Sequence, residues 1–353
     1  MEVDERYMRR AIDLARRGEA DTSPNPMVGA VIVGTDGSII GEGYHRRCGE
    51  GHAEVNAVAS VVDRSLLKDS TMYVTLEPCS HYGKTPPCAR LIIDSGIPRV
   101  VVGMTDPHDV VSGRGIAMLR QAGVEVVTGV LEDECKAINP KFIFSHTSVF
   151  PYITVKFACS SDGYLDRDRN LTEMPELFSS PVTSLMVQRL RAVHDAILVG
   201  AETLSRDNPR LDLRDWDGRS PVKVIVSRRG RISPQARVFD MGRTIVYSSV
   251  ACPDLEARGA TVVRIPQDSD LTAVMADLHQ RGVTSVLIEG GATIINRLFE
   301  LGLWNRARVE VAPYRLGDRG VAHVGLPPVP PVKVENIDCR QILTFFNLSP
   351  LKA

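Results

Sequence analysis

No apolar run in the sequence approaches the ~20 residues that a transmembrane helix needs, which argues against a helical membrane protein. Charge of one sign is lacking too. The formal net charge is −1, so there is no global basic field to hold nucleic acid. Met1 to Gly18 mixes Glu, Asp and Arg with apolar residues at helical spacing and has no continuous apolar core of the signal-peptide kind. Internal repeats and low-complexity tracts are absent. The Cys number seven in 353 residues, scattered and odd, which fits a reducing compartment better than a disulfide framework. The three-glycine dinucleotide fingerprint is also missing, so no Rossmann domain is expected. These absences point to a cytoplasmic protein with no membrane partner and, a local basic patch aside, no nucleic-acid partner.

Hydrophobic residues at 43% and charged residues at 24% form an ordinary globular mixture, and the length suits two domains. Tyr7 to Arg17 carries Met8, Ala11, Ile12, Leu14 and Ala15 in a helical pattern. Ser23-Pro24-Asn25-Pro26 is a turn cluster. Strands are expected at Val28–Val33, Ile39-Ile40, Thr71–Leu76, Arg99–Gly103 and Val124–Val127, with helices near Ala53–Val62, Ala89–Ser95 and Gly115–Ala122. Ala137 to Phe150, through Asn139-Pro140, reads as a boundary, after which strand–helix alternation restarts. Both halves therefore read as α/β layers with separate cores.

His52-Ala53-Glu54 opens one helix, Pro78-Cys79 follows a strand, and Cys88 comes after Pro86-Pro87. One imidazole and two thiolates are good zinc ligands, and three protein ligands leave a fourth position open, as in catalytic sites. Zinc lowers the pKa of water to ~7. Glu54 has no ligand duty and can shuttle a proton to a leaving amine. The pattern resembles the zinc nucleobase-deaminase arrangement of His-x-Glu followed by a Cys pair. A closed structural site would need a fourth ligand, for which Cys48 and His81 are the nearest candidates. The two Cys are separated by eight residues rather than two, and the polar insertion Ser80 to Pro87 could hold a substrate larger than a bare base.

Four segments carry a more specific resemblance: Pro24 to Gly29, Gly41 to His45, Gly51 to Glu54, and Thr75 to Cys88 with the long Cys–Cys insertion. With Lys156 to Gly163, Asp195 to Leu211 and Glu289 to Thr293, the chain resembles the bifunctional deaminase–reductase family of riboflavin biosynthesis. The resemblance implies a cytidine-deaminase-like three-layer α/β/α domain over residues 1–145 and a dihydrofolate-reductase-like α/β domain over 150–353. It implies zinc-dependent deamination of 2,5-diamino-6-(5-phosphoribosylamino)pyrimidin-4(3H)-one. Reduction of the product's ribosyl group to ribityl with NADPH would follow. Zinc would sit on His52, Cys79 and Cys88, with Glu54 catalytic, and Asn25, His45, His81, Lys84 and Asp106 would meet the first substrate. Cys159, Thr203, Asp207, Gly291, Ala292 and Thr293 would meet NADPH; Lys156, Arg191, Leu211, Arg214 and Glu289 would meet the second substrate.

The residues support parts of this independently. Ser285 to Glu289 is a buried-strand pattern, and Gly290-Gly291 leads into a helix start that suits a phosphate. Arg191 and Arg214 suit a 5′-phosphate, and Arg228 and Arg229 could meet a 2′-phosphate. Departures from the family fall in this half. Pro175 and Leu177 stand where a Ser-x-Trp-x-Thr-like stretch is usual, and Trp304-Asn305-Arg306 where acidic residues are usual. Two alternatives follow: a deaminase with a degenerate C-terminal half, or a nucleic-acid-acting zinc deaminase. A homo-oligomer stays open.

Overall fold

A computed structural model of the chain describes residues 2–81, 86–108, 112–170 and 173–349. Two compact units result, Met1–Thr147 and Ser148–Ala353.

The first unit runs α1 (Glu2–Ala15), β1 (Gly29–Val33), β2 (Ile39–Tyr44), α2 (Ala53–Ser60), β3 (Thr71–Leu76), α3 (Cys88–Asp94), β4 (Arg99–Met104), α4 (Arg114–Gln121), β5 (Glu125–Thr128), α5 (Glu132–Ile138) and α6 (Pro140–Thr147). Its sheet has the order β2-β1-β3-β4-β5, antiparallel through β2-β1-β3 and parallel through β3-β4-β5. Glycines let helices lie on both faces. A Cβ at Gly29 would strike the Ala11 carbonyl of α1 at 2.0 Å, and one at Gly43 the Ala57 amide of α2 at 2.3 Å. The buried runs of β1 and β4 join Met8 and Ile12 of α1 and Ile92 of α3 in one core. Ala137 to Phe150 is not an open linker. Pro140 starts α6, where its missing N–H is harmless at the first helical position.

The second unit runs β6 (Tyr152–Cys159), β7 (Tyr164–Arg167), α7 (Pro181–Ala192), β8 (Ala196–Gly200), α8 (Ala201–Asp207), β9 (Val222–Val226), β10 (Thr244–Ser248), α9 (Pro253–Ala257), β11 (Thr261–Arg264), α10 (Leu271–Gln280), β12 (Ser285–Gly290), α11 (Ala292–Glu300), β13 (Arg306–Val311), β14 (Gly320–His323), β15 (Lys333–Ile337) and β16 (Arg340–Phe346). Nine strands follow the order β11-β10-β9-β8-β12-β6-β13-β16-β15. β11 through β13 in that order are parallel, and β16 and β15 close the edge antiparallel. Central strands buried on both faces read as apolar runs, as in β8 and β12. α7 begins on a capping box, with Ser180 and Thr183 exchanging hydrogen bonds, and has Pro181 in its first turn.

The β15–β16 hairpin is not anticipated from the sequence. Its two-residue turn is Asp338-Cys339, both at positive φ (49° and 61°), without the Asn-Gly or Asp-Gly signal such turns usually carry. The edge strand β15 also has no buried residue. The acidic-to-Trp304 departure has a packing reason. Trp304 is buried, and the Asn305 Oδ1 accepts from the Ile153 amide at 2.8 Å.

Candidate active sites in the two units

Two helix starts and one strand end converge in the first unit. His52 is the N-cap of α2, Cys88 is the first residue of α3, and Cys79 lies in the turn after β3. The His52 Nδ1 lies 3.7 Å from the Cys79 Sγ and 3.4 Å from the Cys88 Sγ. All three donor atoms fall within 4.8 Å of one another, and among the described residues no fourth His, Cys, Asp or Glu joins them. The helix amino ends favour thiolates. The Cys88 amide donates to the Cys79 Sγ at 3.2 Å. Hydrogen bonds from the Cys88 thiol and His52 hold Cys79 down at about 4, against its burial, while Cys88 is pushed up by the same pairing and by burial. One nitrogen and two sulfurs, preassembled and open on one side, fit a catalytic zinc ion.

Glu54 is the second residue of α2 and is 3% exposed. Burial, with the charge of Cys79 beside it, raises its carboxyl to about 7. That value suits a group that must both accept and release a proton near neutrality.

Around this centre, His45 is held from both sides. Its Nδ1 lies 3.1 Å from the Gly51 carbonyl, which can only accept, so Nδ1 carries the proton. The Nε2 then accepts from the Asn25 amide at 3.1 Å. Burial lowers the His45 pKa, consistent with this neutral form. The Asn56 side chain donates to the Tyr44 and Gly51 carbonyls and fixes the loop that ends in His52. Asp106 follows β4 and accepts from the His108 amide at 2.9 Å. His81 is exposed, and Lys84 lies outside the described residues.

Sequence reasoning passes over two residues here. Asn139 clamps Met27 by a reciprocal pair of 2.8 Å bonds and so holds the segment carrying Asn25. Glu77 takes four backbone amides on its carboxylate. Neither type of signal is visible in one dimension, because the partners are about 30 to 110 positions away.

In the second unit, ionic groups collect where β6, β12 and α7 meet. Glu289 on β12 accepts from the Arg191 Nε at 2.8 Å and Nη2 at 2.6 Å, and the Arg191 Nη1 donates to the Asp212 carbonyl at 2.9 Å. Arg191 is buried and Glu289 keeps only 11% of its side-chain exposure. Burial alone would raise Glu289, but Arg191 and Lys156 hold it low. Burial lowers the Lys156 amine, partly offset by Glu289 and Glu310. Leu211 is buried at positive φ, and Arg214 is exposed with its Nε 4.0 Å from Asp212.

At the carboxyl ends of β8 and β12, Gly290 and Gly291 bring backbone close to Thr203. A Cβ at Gly291 would lie 3.0 Å from the Thr203 Oγ1. Gly291 is the N-cap of α11, followed by Ala292 and Thr293, so the free amides of a helix start open onto this gap. This is the crevice at which strand order reverses, where open α/β sheets bind ligands. Its small residues and unpaired amides fit a dinucleotide's phosphates. Cys159 ends β6, buried, and burial raises its thiol to about 11. Asp207 is the last residue of α8, and its carboxylate is the acceptor of Arg169. Leu177 is exposed near α7.

The fold and these sites define a zinc deaminase unit followed by an α/β reductase unit. Residues 1–104 match the cytidine and deoxycytidylate deaminase zinc-binding region, and residues 151–345 match the RibD C-terminal domain. The riboflavin biosynthesis protein RibD of Bacillus amyloliquefaciens is 40% identical over 89% of this chain and 86% of its own. That of Escherichia coli (strain K12) is 36% identical over 89% of each. Among solved structures, Acinetobacter baumannii RibD has a TM-score of 0.89 at 32% identity, covering 98% of this chain and 99% of its own. The deaminase/reductase of Thermotoga maritima has a TM-score of 0.85 at 35% identity, covering 97% and 98%. The chain belongs to the RibD family of bifunctional riboflavin-biosynthesis enzymes, whose cofactors are zinc and NADPH.

Proposed function

We propose that the first unit deaminates 2,5-diamino-6-(5-phosphoribosylamino)pyrimidin-4(3H)-one and that the second reduces the ribosyl group of the product to ribityl. The observation that carries this reading is the buried Glu54 beside the His52–Cys79–Cys88 donor set, on a chain similar throughout to the Thermotoga maritima deaminase/reductase. When bound, zinc supplies a water-derived nucleophile at neutral pH. Glu54 takes the proton from the attacking water and returns it to the departing amine. The neutral His45, with both ring nitrogens engaged, packs at the pyrimidine site and fixes Asn25, whose remaining amide N–H and oxygen meet the pyrimidine, while Asp106 approaches it from the end of β4. His81 and Lys84, on the insertion between the Cys, meet the phosphate.

In the second unit NADPH supplies the hydride. Thr203, Asp207 and the Gly291, Ala292 and Thr293 turn hold it, with Cys159 at the end of β6. Lys156 and Glu289 face the ribosyl group, and Leu211 walls the pocket. Arg214 and Arg191 meet the 5′-phosphate. Arg191 spends three of its five N–H groups on Glu289 and Asp212, which leaves two for an anion. Among the described residues no helix is long and apolar enough to cross a membrane. We place the enzyme in the cytoplasm, acting on small molecules and not on nucleic acid, with self-association to be settled by its mass in solution.

The test is incubation of the purified protein with the diaminopyrimidinone phosphate, with and without NADPH. Mass spectrometry should show the deaminated product alone without NADPH, and the ribityl product with it. Release of no ammonia in either arm would overturn the deaminase reading. Deamination with no NADPH oxidation would leave a deaminase with a degenerate second unit.

A further inference from the structure

Glu77 has no place in the chemistry described above, yet its carboxylate accepts four backbone hydrogen bonds. It is buried at the end of β3, directly before Pro78-Cys79. Its Oε2 accepts from the Asp106 amide at 3.2 Å and the Gly113 amide at 2.9 Å. Its Oε1 accepts from the Gly115 amide at 2.9 Å and the Ile116 amide at 3.3 Å. Two of these donors belong to the first turn of α4, whose N-cap is Gly113, a residue with no side chain to satisfy them. The other two bracket the connection from β4 to α4 that carries Asp106. One carboxylate therefore fastens both ends of that connection to the turn bearing Cys79.

The packing enforces the same register. A Cβ at Gly115 would lie 1.9 Å from the Pro78 carbonyl oxygen, so the head of α4 rests directly on the backbone next to Cys79. Gly113 has φ +77°, a backbone state that favours glycine. β3 and β4 are parallel neighbours, and the Glu77 amide donates back to the Met104 carbonyl at 2.9 Å. Asp106 thus has no independent setting relative to Cys79: its main chain is tied to the residue two positions before that ligand.

We propose that Glu77 is a positioning residue of the deaminase, setting Asp106 against the zinc centre by gathering four backbone amides from both ends of the β4–α4 connection. This rests on the reading of Asp106 as a substrate residue. The arrangement makes a discriminating demand. All four partners are donors, two to each oxygen. A glutamine can offer one oxygen only, so either amide orientation turns an NH2 group toward two N–H groups. Glu77→Gln is therefore not conservative here, although it keeps size and shape.

The test uses the full-length zinc-loaded enzyme and the diaminopyrimidinone phosphate. Glu77→Gln and Glu77→Ala should raise the KM of deamination about tenfold or more. kcat should change far less, zinc should stay at one per chain, and NADPH-dependent reduction should keep its wild-type rate. Asp106→Ala supplies the second arm. In that background, Glu77→Gln should raise KM by less than about twofold, because the residue it positions is gone. An unchanged KM in Glu77→Gln would overturn the proposal. So would an equal fold-rise with and without Asp106, which marks general loosening, or loss of zinc, which marks support of Cys79 instead. Should Glu77→Ala not fold, Glu77→Gln carries the whole test. A wild-type enzyme that did not deaminate would refute the functional reading itself, whatever the variants did.

Discussion

In the first unit the functional atoms come from three short stretches, His52–Glu54, Cys79 and Cys88, at two helix starts and one strand end within 37 residues of sequence. In the second, Lys156, Arg191, Asp212 and Glu289 arrive from β6, α7, a loop and β12, spread over 134 positions. The first site is built from residue types that have few other reasons to cluster. The second is built from Arg, Lys, Asp and Glu, which are common everywhere and acquire meaning only when buried together. A reader of sequence sees the first at once. The second becomes visible when the sheet order brings β6 and β12 side by side.

The largest expected effect breaks the first site at its metal. Cys88→Ser should lose most bound zinc, since a hydroxyl is a far weaker ligand than a thiolate. Metal analysis of the purified variant decides, and full occupancy would remove Cys88 from the ligand set. Next comes Glu54→Gln, which should keep zinc and lose deamination by about 10²-fold or more. Near wild-type turnover in that variant would assign the proton transfer elsewhere. Neither change should alter reduction of the deaminated intermediate.

The matching break in the second site is Arg191→Ala. It leaves the Glu289 carboxylate buried without its partner, and breaking such a pair typically costs about 3–5 kcal/mol. Reduction should fall, with KM for the phosphorylated substrate raised, while deamination persists. Arg191→Met with Glu289→Gln should recover most of the stability but not the reduction. Denaturant midpoints and NADPH oxidation, measured on the same samples, separate the two roles. Stability unchanged in Arg191→Ala would mean that Glu289 finds another partner.

Much of the fold was legible because the periodicities were strong. Thr71–Leu76 is a strand with the bounds its pattern predicts, and the other strands and helices that the patterns predict lie within a few residues of their expected ends. The losses have separate causes. The β15–β16 hairpin lacks the usual turn signal, and its edge strand is exposed. α6 hides behind Asn139-Pro140, which looks like a breaker but is a helix start. α8 is a short helix between β8 and a turn, with little apolar pattern to announce it. Among site residues, Glu77 and Asn139 stayed silent because their partners are backbone amides and carbonyls, which any sequence would supply. The Arg191–Glu289 pair stayed silent for a different reason. Nothing in either residue's neighbourhood along the chain says that the two will meet.

A second bidentate arginine–carboxylate pair, in the first unit, sharpens what burial adds. The Arg99 Nη1 and Nη2 donate to the two Asp4 oxygens at 3.0 and 3.2 Å, and the Tyr73 hydroxyl donates to Asp4 at 2.9 Å. The geometry resembles Arg191–Glu289, but here the side chains keep 27% and 18% of their exposure, against 9% and 11%. Water screens the pair, so Arg99→Met should cost about 1–2 kcal/mol, well below the Arg191 break. Its pH dependence follows from Asp4. The Arg99 hydrogen bond holds the Asp4 carboxyl below 3.8, its ordinary value. A group depressed on folding adds stability above its unfolded value and loses it as pH falls through the folded one. The stability gap between wild type and Arg99→Met should therefore be full at pH 7 and shrink below 3.8. Urea midpoints across that range measure it. A gap of constant size down to the acid end would show that Arg99 acts through its packing against β5 rather than through the charge of Asp4.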